Sequence, residues 1–424
     1  MGSYTQNDAV RYFIGDAINK PAIHHESFEQ LWETKWKAPC KMGVYPFMFG
    51  AYKDVEPVAQ AIIKAGLKEP YDWDEYAGFF FPKAEELAAA AKTAEEQGNK
   101  EMACELYLRS SALYRVARFP TPRSQLQLQA WELGKKVFYA GASLMEHPIA
   151  EVLIPHSSGL ASEGKTIPAN FLQPPHASST NPCPVLIIFT GLDGYRTELA
   201  VWQRGWLDKG VATIVVEIPG TGDSPADPTD PTSPDREWSS LLDWVRDTKT
   251  LDHTKVIIWG FSTGGYYSLR AAHTHADRLL GSISLGGGAH HMFDRAWLDK
   301  VNKLEYPFDL AGALAHKFGY HGADKLEEFI REAPKFSLVN DGTLEKKCCR
   351  MLLVNGSHDE IFPVDDLFVA LEHGSPKEAR VVKGKKHMGE PESFTVILSW
   401  IHKLLGLDGD IRSQLVQLPS RIKH

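Results

Sequence analysis

Val256-Ile257-Ile258-Trp259-Gly260-Phe261-Ser262-Thr263-Gly264-Gly265 is the stretch on which the fold of this chain turns. Its opening apolar residues read as a buried strand. Two glycines then bracket a serine, and Tyr266 to His273 reads as a helix. Strand, tight turn and helix form the context that a G-x-S-x-G nucleophile elbow requires. Glycine is expected at 260 and 264 because the turn brings strand and helix too close for a Cβ. The serine between them is then pushed out over the end of a sheet, where its hydroxyl can meet a carbonyl. Five letters recur by chance, so the flanking elements have to carry the reading.

Downstream and upstream of the elbow, strands alternate with helices. Strands are expected at Pro184–Phe189, Val211–Glu217, Lys255–Trp259, Gly281–Leu285, Cys349–Val354 and Glu378–Val382. Ala150–Ile154 and Thr166–Leu172 read as an antiparallel opening pair. Continuous apolar strands between helical segments imply a mostly parallel α/β sheet with helices on both faces. The covering helices are expected at Leu199–Asp208, Trp238–Asp247, Tyr266–His275, Val364–His373 and Ser393–Leu405. Before about residue 145 the pattern is helical, with amphipathic runs at Ser27–Trp36, Val55–Leu67, Lys83–Gly98, Lys100–Arg118 and Ser124–Tyr139. The reading is therefore a helical N-terminal lid or cap domain, 1–144, and an α/β catalytic domain, 145–424. An aromatic insertion over the site is expected at about 292–339.

A serine hydroxyl is a poor nucleophile until a base takes its proton and a carboxylate orients the base. On this architecture the chain order is Ser, acid, His, the last two following late strands. Asp359 follows the run Met351-Leu352-Leu353-Val354, and His387 follows Ala379 to Val382. Ser262, Asp359 and His387 are the expected catalytic residues. Glu360, Asp365 and Asp366 compete for the acid, the last two better placed to cap the helix starting near Val364. His358 competes for the base, but it sits beside the acid it would have to face. Two backbone amides should hold the developing oxyanion: Thr263, after the nucleophile, and Leu192, in Thr190-Gly191-Leu192-Asp193-Gly194.

Pro219-Gly220-Thr221-Gly222-Asp223-Ser224 lacks the lysine of a phosphate loop and is expected beside the mouth of the site. Gly286 to Asp294 should approach the site. Asp294 and His291 are candidate auxiliary acid or base groups, although Asp294 reads more readily as a helix cap. A metal on His290 and His291 is not expected, because neighbouring residues rarely share an ion. No cofactor is expected.

Composition excludes several classes. The 424 residues are 43% hydrophobic and 24% charged with a net charge of −8, so no nucleic-acid footprint is visible. No apolar run is long enough for a membrane span. Five cysteines without a framework spacing point to a reducing compartment, and the start lacks a secretory signal, so a cytoplasmic location is expected. A homodimer is the expected assembly on base rate.

Taken together, Gly191 to Gly194, Pro219 to Gly222, Gly260 to Gly264, Gly286 to Phe293, Asp359 and His387, behind a helical region, resemble the FrsA-like α/β-hydrolases. Leu31-Trp32-Glu33-Thr34-Lys35-Trp36-Lys37, Val44-Tyr45-Pro46-Phe47 and Tyr114 to Pro120 are similar to the fungal yellowish-green-type heptaketide hydrolases of pigment and melanin pathways. The resemblance implies hydrolytic shortening of a polyketide or aromatic ketone by cleavage of a C–C bond in a β-dicarbonyl side chain. It also gives Asp294 an approximate match to an extra acidic residue used in a bacterial member of the family. An esterase, thioesterase or acyltransferase would use the same triad. A non-catalytic binding protein on the same fold is the third reading.

Overall fold

The computed structural model describes residues 12–417. Eight strands form one sheet: β1 Ala150–Pro155, β2 Thr166–Leu172, β3 Cys183–Phe189, β4 Ala212–Val216, β5 Leu251–Phe261, β6 Gly281–Leu285, β7 Met351–Gly356 and β8 Glu378–Val382. Their spatial order is β1-β2-β4-β3-β5-β6-β7-β8. β1 pairs with β2, and β2 with β4, antiparallel; every other pairing is parallel. The α/β expectation holds, including the antiparallel opening pair.

Alternation along the central strands sends two apolar sets to opposite faces. On β3, Leu186 and Ile188 join Ile257, Trp259, Ile283, Trp206 and Trp400 in the core of one face. Val185, Ile187 and Phe189 join Ile258, Trp238 and Tyr266 in the core of the other. That second core continues without a break into the N-terminal helices and the segment after β6. The helical region thus finishes a core that the sheet leaves open on that face.

Four long helices dominate the N-terminal region: α1 Tyr52–Ala65, α2 Phe81–Glu96, α3 Lys100–Ala117 and α4 Gln125–Ser143. Side-chain caps start two of them, since Asn99 accepts from the Met102 amide and Ser124 from the Gln127 amide. α3 is buried on nearly all sides from Tyr107 to Ala117. The run expected at Ser27–Trp36 is capped by Ser27 and continues to Met42 through a wider turn at Trp32–Trp36. A short helix at Trp73–Gly78, capped by Asp72, was not expected. The single helix expected at Leu199–Asp208 is instead three short pieces beginning at Arg196. A local cap and a distant acceptor start the first piece early: the Tyr195 amide donates to Glu198, three residues on, and the Arg196 amide to Glu217.

Chain order and strand order place the site. From β3 the chain moves outward to β4, then returns across β3 to β5. The carboxyl ends of β3 and β5 therefore flank the topological switch point, where open α/β sheets bind ligands. The loop 190–194 and Ser262 lie at those two ends, and the segments holding Asp359 and His387 follow β7 and β8.

Candidate active site

Ser262 occupies the turn between β5 and the helix Thr263–Thr274, with φ 54° and ψ −121°. Few non-glycine residues adopt such a conformation, which costs about 1–3 kcal/mol. The neighbouring glycines are obligatory for a measurable reason. A Cβ on Gly260 would lie 2.1 Å from the Gly264 carbonyl oxygen, and one on Gly264 would lie 2.3 Å from that of Thr190. Gly264→Ala should therefore cost about 3 kcal/mol, because backbone at the end of β3 has to move. A lowered thermal midpoint checks this; a midpoint equal to wild type would mean the elbow has slack.

Ser262, His387 and Asp359 come together. The Ser262 hydroxyl lies 2.8 Å from His387 Nε2, and His387 Nδ1 lies 2.8 Å from Asp359 Oδ2. A carboxylate only accepts, so Nδ1 carries the proton and Nε2 is left to accept from the serine. Asp359 is fully buried. Its Oδ1 accepts from the amides of Ile361 at 2.7 Å and Phe362 at 3.0 Å, and Oδ2 also accepts from Asn355 Nδ2 at 2.7 Å. Asn355 Oδ1 in turn accepts from the Met388 amide at 3.0 Å, tying the acid's loop to the histidine's. Burial opposes charge on His387, but the acidic groups around it, Asp359 first and then Glu305 and Glu390, together raise the imidazole pKa.

The competing residues are employed elsewhere. His358 is exposed, its Nδ1 2.8 Å from the Ser357 hydroxyl. Glu360 pairs with Lys386 at 2.8 Å. Asp365 and Asp366 do not cap their own helix, contrary to expectation. Asp365 accepts from the Phe13 amide at 3.1 Å. Asp366 is buried and accepts from the amides of Ala289, His290, His291 and Met292. Burial raises its pKa to about 6.

Thr263 begins its helix, so its amide has no intrahelical acceptor. Leu192 is buried in the loop after β3, which the Gly191 amide closes on the Gly194 carbonyl at 3.2 Å. That loop lies against Ser262: a Cβ on Gly191 would be 3.5 Å from Ser262 Cβ. Both elements expected to supply oxyanion donors therefore flank Ser262.

A cavity of about 290 Å³ opens over Ser262 and His387, walled by Trp36, Tyr45, Leu199, Phe261, Tyr306 and Met388. Glu305 and Lys35 bring charge to it. Burial pushes the Glu305 carboxyl up and the Lys35 ammonium down. The His387 amide donates to Glu305 Oε2 at 3.3 Å, and Lys35 Nζ donates to the Glu305 carbonyl. On the opposite wall two phenols converge on Asp193, Tyr45 at 2.5 Å and Tyr306 at 2.6 Å. Arg118 donates to the Asp193 carbonyl at 3.0 Å, so the N-terminal region, the insertion and the 190–194 loop are locked together.

Glu305, Lys35 and the Tyr45–Asp193–Tyr306 group were not identified from sequence. Glu305 has no motif around it, and only proximity in space marks it. Conversely, Asp294 and His291 do not line this cavity. Asp294 makes no capping bond to the helix it precedes; Oδ2 accepts from Tyr12 at 3.3 Å and lies 2.7 Å from His291 Nδ1. His290, His291 and Asp294 do bring ligand atoms within 4.8 Å of one another. His291 Nδ1 is nevertheless spent on Asp294 and His290 Nδ1 on Ser337. The loop 219–224 also lies away from the cavity: Asp223 pairs with Lys135 and Arg196, and Gly220 packs against the Lys317 carbonyl.

The fold is similar to solved α/β structures. The 2,6-dihydroxy-pseudo-oxynicotine hydrolase superposes with a TM-score of 0.64 at 19% identity, covering 84% of this chain and 93% of that one. A protein named AbyA5 gives 0.61 at 20% identity, covering 79% and 91%. In sequence, Esterase FrsA of Photobacterium profundum is 25% identical over 342 residues, 78% of this chain and 75% of that one. Esterase FrsA of Yersinia pestis is 26% identical over 257 residues, 60% of this chain but only 58% of that protein's length. Residues 81–405 match the family model described as Esterase FrsA-like, and a match over that much of the sequence means that the chain belongs to the FrsA-like esterase family of α/β-hydrolases.

Proposed function

We propose that the protein is a serine hydrolase that shortens an aromatic polyketide by cleaving a C–C bond in a β-dicarbonyl side chain. The observation that carries the hydrolytic part is the run of 2.8 Å contacts from Ser262 through His387 to buried Asp359. His387 takes the Ser262 proton as the oxygen attacks a ketone carbon, and the amides of Thr263 and Leu192 hold the resulting oxyanion. Collapse breaks the C–C bond; its electron pair leaves as an enolate, and His387 returns the proton to the leaving carbon. Water activated by His387 then frees the acyl group from Ser262.

Glu305 supports carbon as the leaving atom. Its carboxyl is shifted by burial toward the protonated form beside His387. A neutral carboxyl there can donate a hydrogen bond to the enolate oxygen, stabilisation that an alkoxide protonated directly by His387 does not need. The aromatic walls suit a planar ring. The polyketide substrate rests on resemblance to the heptaketide hydrolases, a fold analogy rather than a property of the site. A related protein carries the name of a hydrolase of 2,6-dihydroxy-pseudo-oxynicotine, which is compatible with aromatic ketones here.

An ester is the second reading, favoured by the esterase names of the sequence relatives. Turnover of a 1-aryl-1,3-diketone and of an aryl ester by the purified protein, with products read by mass spectrometry, separates the two. Turnover of the ester alone would reject C–C cleavage. Glu305→Gln is expected to slow the diketone about a hundredfold while leaving the ester nearly unchanged. Equal losses on both substrates would remove Glu305 from the leaving-group step.

A further inference from the structure

The 190–194 loop carries donors that it cannot hold in place alone. The Gly191 amide donates to the Gly194 carbonyl at 3.2 Å, and the Thr190 amide ties the start of the loop to the Val216 carbonyl at 3.1 Å. The amides of Leu192, Asp193 and Gly194 have no acceptor among the described residues. Leu192 is buried, so its amide is a desolvated donor that an incoming oxygen would satisfy. Donors that stabilise an oxyanion have to be aimed before the charge develops. One hydrogen bond within the loop does not fix that aim.

Asp193 supplies the missing hold. It is buried, and each carboxyl oxygen accepts from a phenol, Oδ1 from Tyr45 at 2.5 Å and Oδ2 from Tyr306 at 2.6 Å. Burial and the Asp193 charge keep both phenols well above the ordinary tyrosine value, so both remain donors. With both oxygens engaged, Asp193 is not placed to move a substrate proton. Its carbonyl accepts from Arg118 at 3.0 Å. Arg118 also donates to Glu198 at 2.5 Å, and the other oxygen of Glu198 accepts from the Tyr195 amide at 2.7 Å. Tyr45 and Arg118 belong to the N-terminal region and Tyr306 to the insertion after β6. The three groups that hold Asp193 thus come from segments that contain none of Ser262, Asp359 and His387.

We propose that Asp193 is a positioning residue: held by Tyr45 and Tyr306, it aims the adjacent Leu192 amide at the oxygen that becomes charged when Ser262 attacks. The N-terminal region and the insertion thereby act on the reaction through this loop, in addition to walling the cavity. The inference rests on the reading of Ser262 as nucleophile and Leu192 as an oxyanion donor.

An alkyl fluorophosphonate tests it, because its phosphoryl oxygen takes the place of the oxyanion as the Ser262 oxygen displaces fluoride. The final extent of labelling counts intact sites, and the rate constant at saturating reagent reads how well the donors are aimed. A merely structural role lowers the first and leaves the second alone. Asp193→Asn keeps the shape but turns an NH2 group toward one of the two phenols. It should slow saturated labelling about a hundredfold, with the half-saturating concentration within about twofold of wild type. Tyr45→Phe and Tyr306→Phe should each slow it about threefold to tenfold, and adding both to Asp193→Asn should slow it no further. Should Asp193→Asn fail to fold, Tyr45→Phe decides, since it removes one hydroxyl from a ring that is 39% exposed. Labelling that survives Ser262→Ala would overturn the reading of Ser262 and this proposal with it. Labelling abolished in Ser262→Ala but running at the wild-type rate in Asp193→Asn or Tyr45→Phe would overturn the proposal alone, as would losses that multiply in the triple variant.

Discussion

Ser262→Ala and His387→Ala should each leave a folded protein whose turnover is lower by at least roughly a thousandfold. The reason is geometric. His387 reaches the Ser262 hydroxyl at 2.8 Å on one side and Asp359 at 2.8 Å on the other, so removing either member leaves the rest without a task. The double variant should be little worse than either single one, because groups that act as a unit lose their contribution once. A further consequence is readable in pH. His387 must be neutral to accept the serine proton, and its pKa is raised because Asp359, with smaller contributions from Glu305 and Glu390, overcomes the opposing effect of burial. The acid limb of kcat/KM should therefore lie above the ordinary imidazole value, with activity lost as pH falls through it. Asp359→Asn removes the charge and leaves the burial. The plateau should then drop by about ten-thousandfold, and the limb should move to lower pH. A limb that stays in place would mean that a group other than His387 is titrating; full activity in His387→Ala would remove it as the base.

Arg196→Met should cost about 3–5 kcal/mol of stability, the cost of leaving buried charge without its partner. Arg196 opens the helical pieces that follow the 190–194 loop and is almost wholly buried. Its guanidinium contacts Glu217 at 2.8 Å, Glu151 at 2.5 Å, Asp223 at 2.8 Å and the Tyr139 hydroxyl at 2.9 Å. One side chain thus joins α4, β1, the end of β4 and the 219–224 loop. Glu217 is fully buried, and burial raises its pKa to about 7, with Arg196 opposing and Asp223 adding to the rise. A carboxyl whose folded pKa exceeds its unfolded value binds more protons when folded. Its contribution to stability is greatest in acid and falls as pH rises from about 4.5 to about 7. Without Arg196 the Glu217 pKa climbs further, so the loss continues above pH 7. Urea unfolding at pH 5 and pH 8 should show a larger penalty for Arg196→Met at the higher pH. Adding Glu217→Gln should recover most of it. An equal penalty at both pH values would assign the effect to packing rather than charge.

The elbow was legible because its constraint is local. Gly260, Ser262 and Gly264 lie within five residues, and the clash that excludes a Cβ at Gly260 involves Gly264 of the same turn. Asp359 and His387 were legible because α/β topology assigns an acid and a base to the ends of late strands, and the apolar runs of β7 and β8 show where those ends are. The long helices were visible for a similar reason, their apolar period being contained in short windows.

Asp294 obeys no such local rule. It stands at the N-terminal edge of a helix, yet its carboxylate meets Tyr12 and His291 instead of capping. Asp366 likewise leaves its own helix to satisfy four amides after β6. Glu305 is separated by 82 residues from the His387 amide it accepts from. Asp193 gathers phenols from Tyr45 and Tyr306, 148 and 113 residues away.

The chain's residue pattern was sufficient for the sheet and for the convergence of Ser262, His387 and Asp359, since each follows from short-range sterics or from strand periodicity. Folding in three dimensions assigned Glu305 to the cavity, the lock on the 190–194 loop and the charge cluster around Arg196. Those depend on which distant polar groups are buried together. A buried carboxylate or guanidinium takes whichever partner the packing brings within reach, and no spacing along the chain encodes that choice.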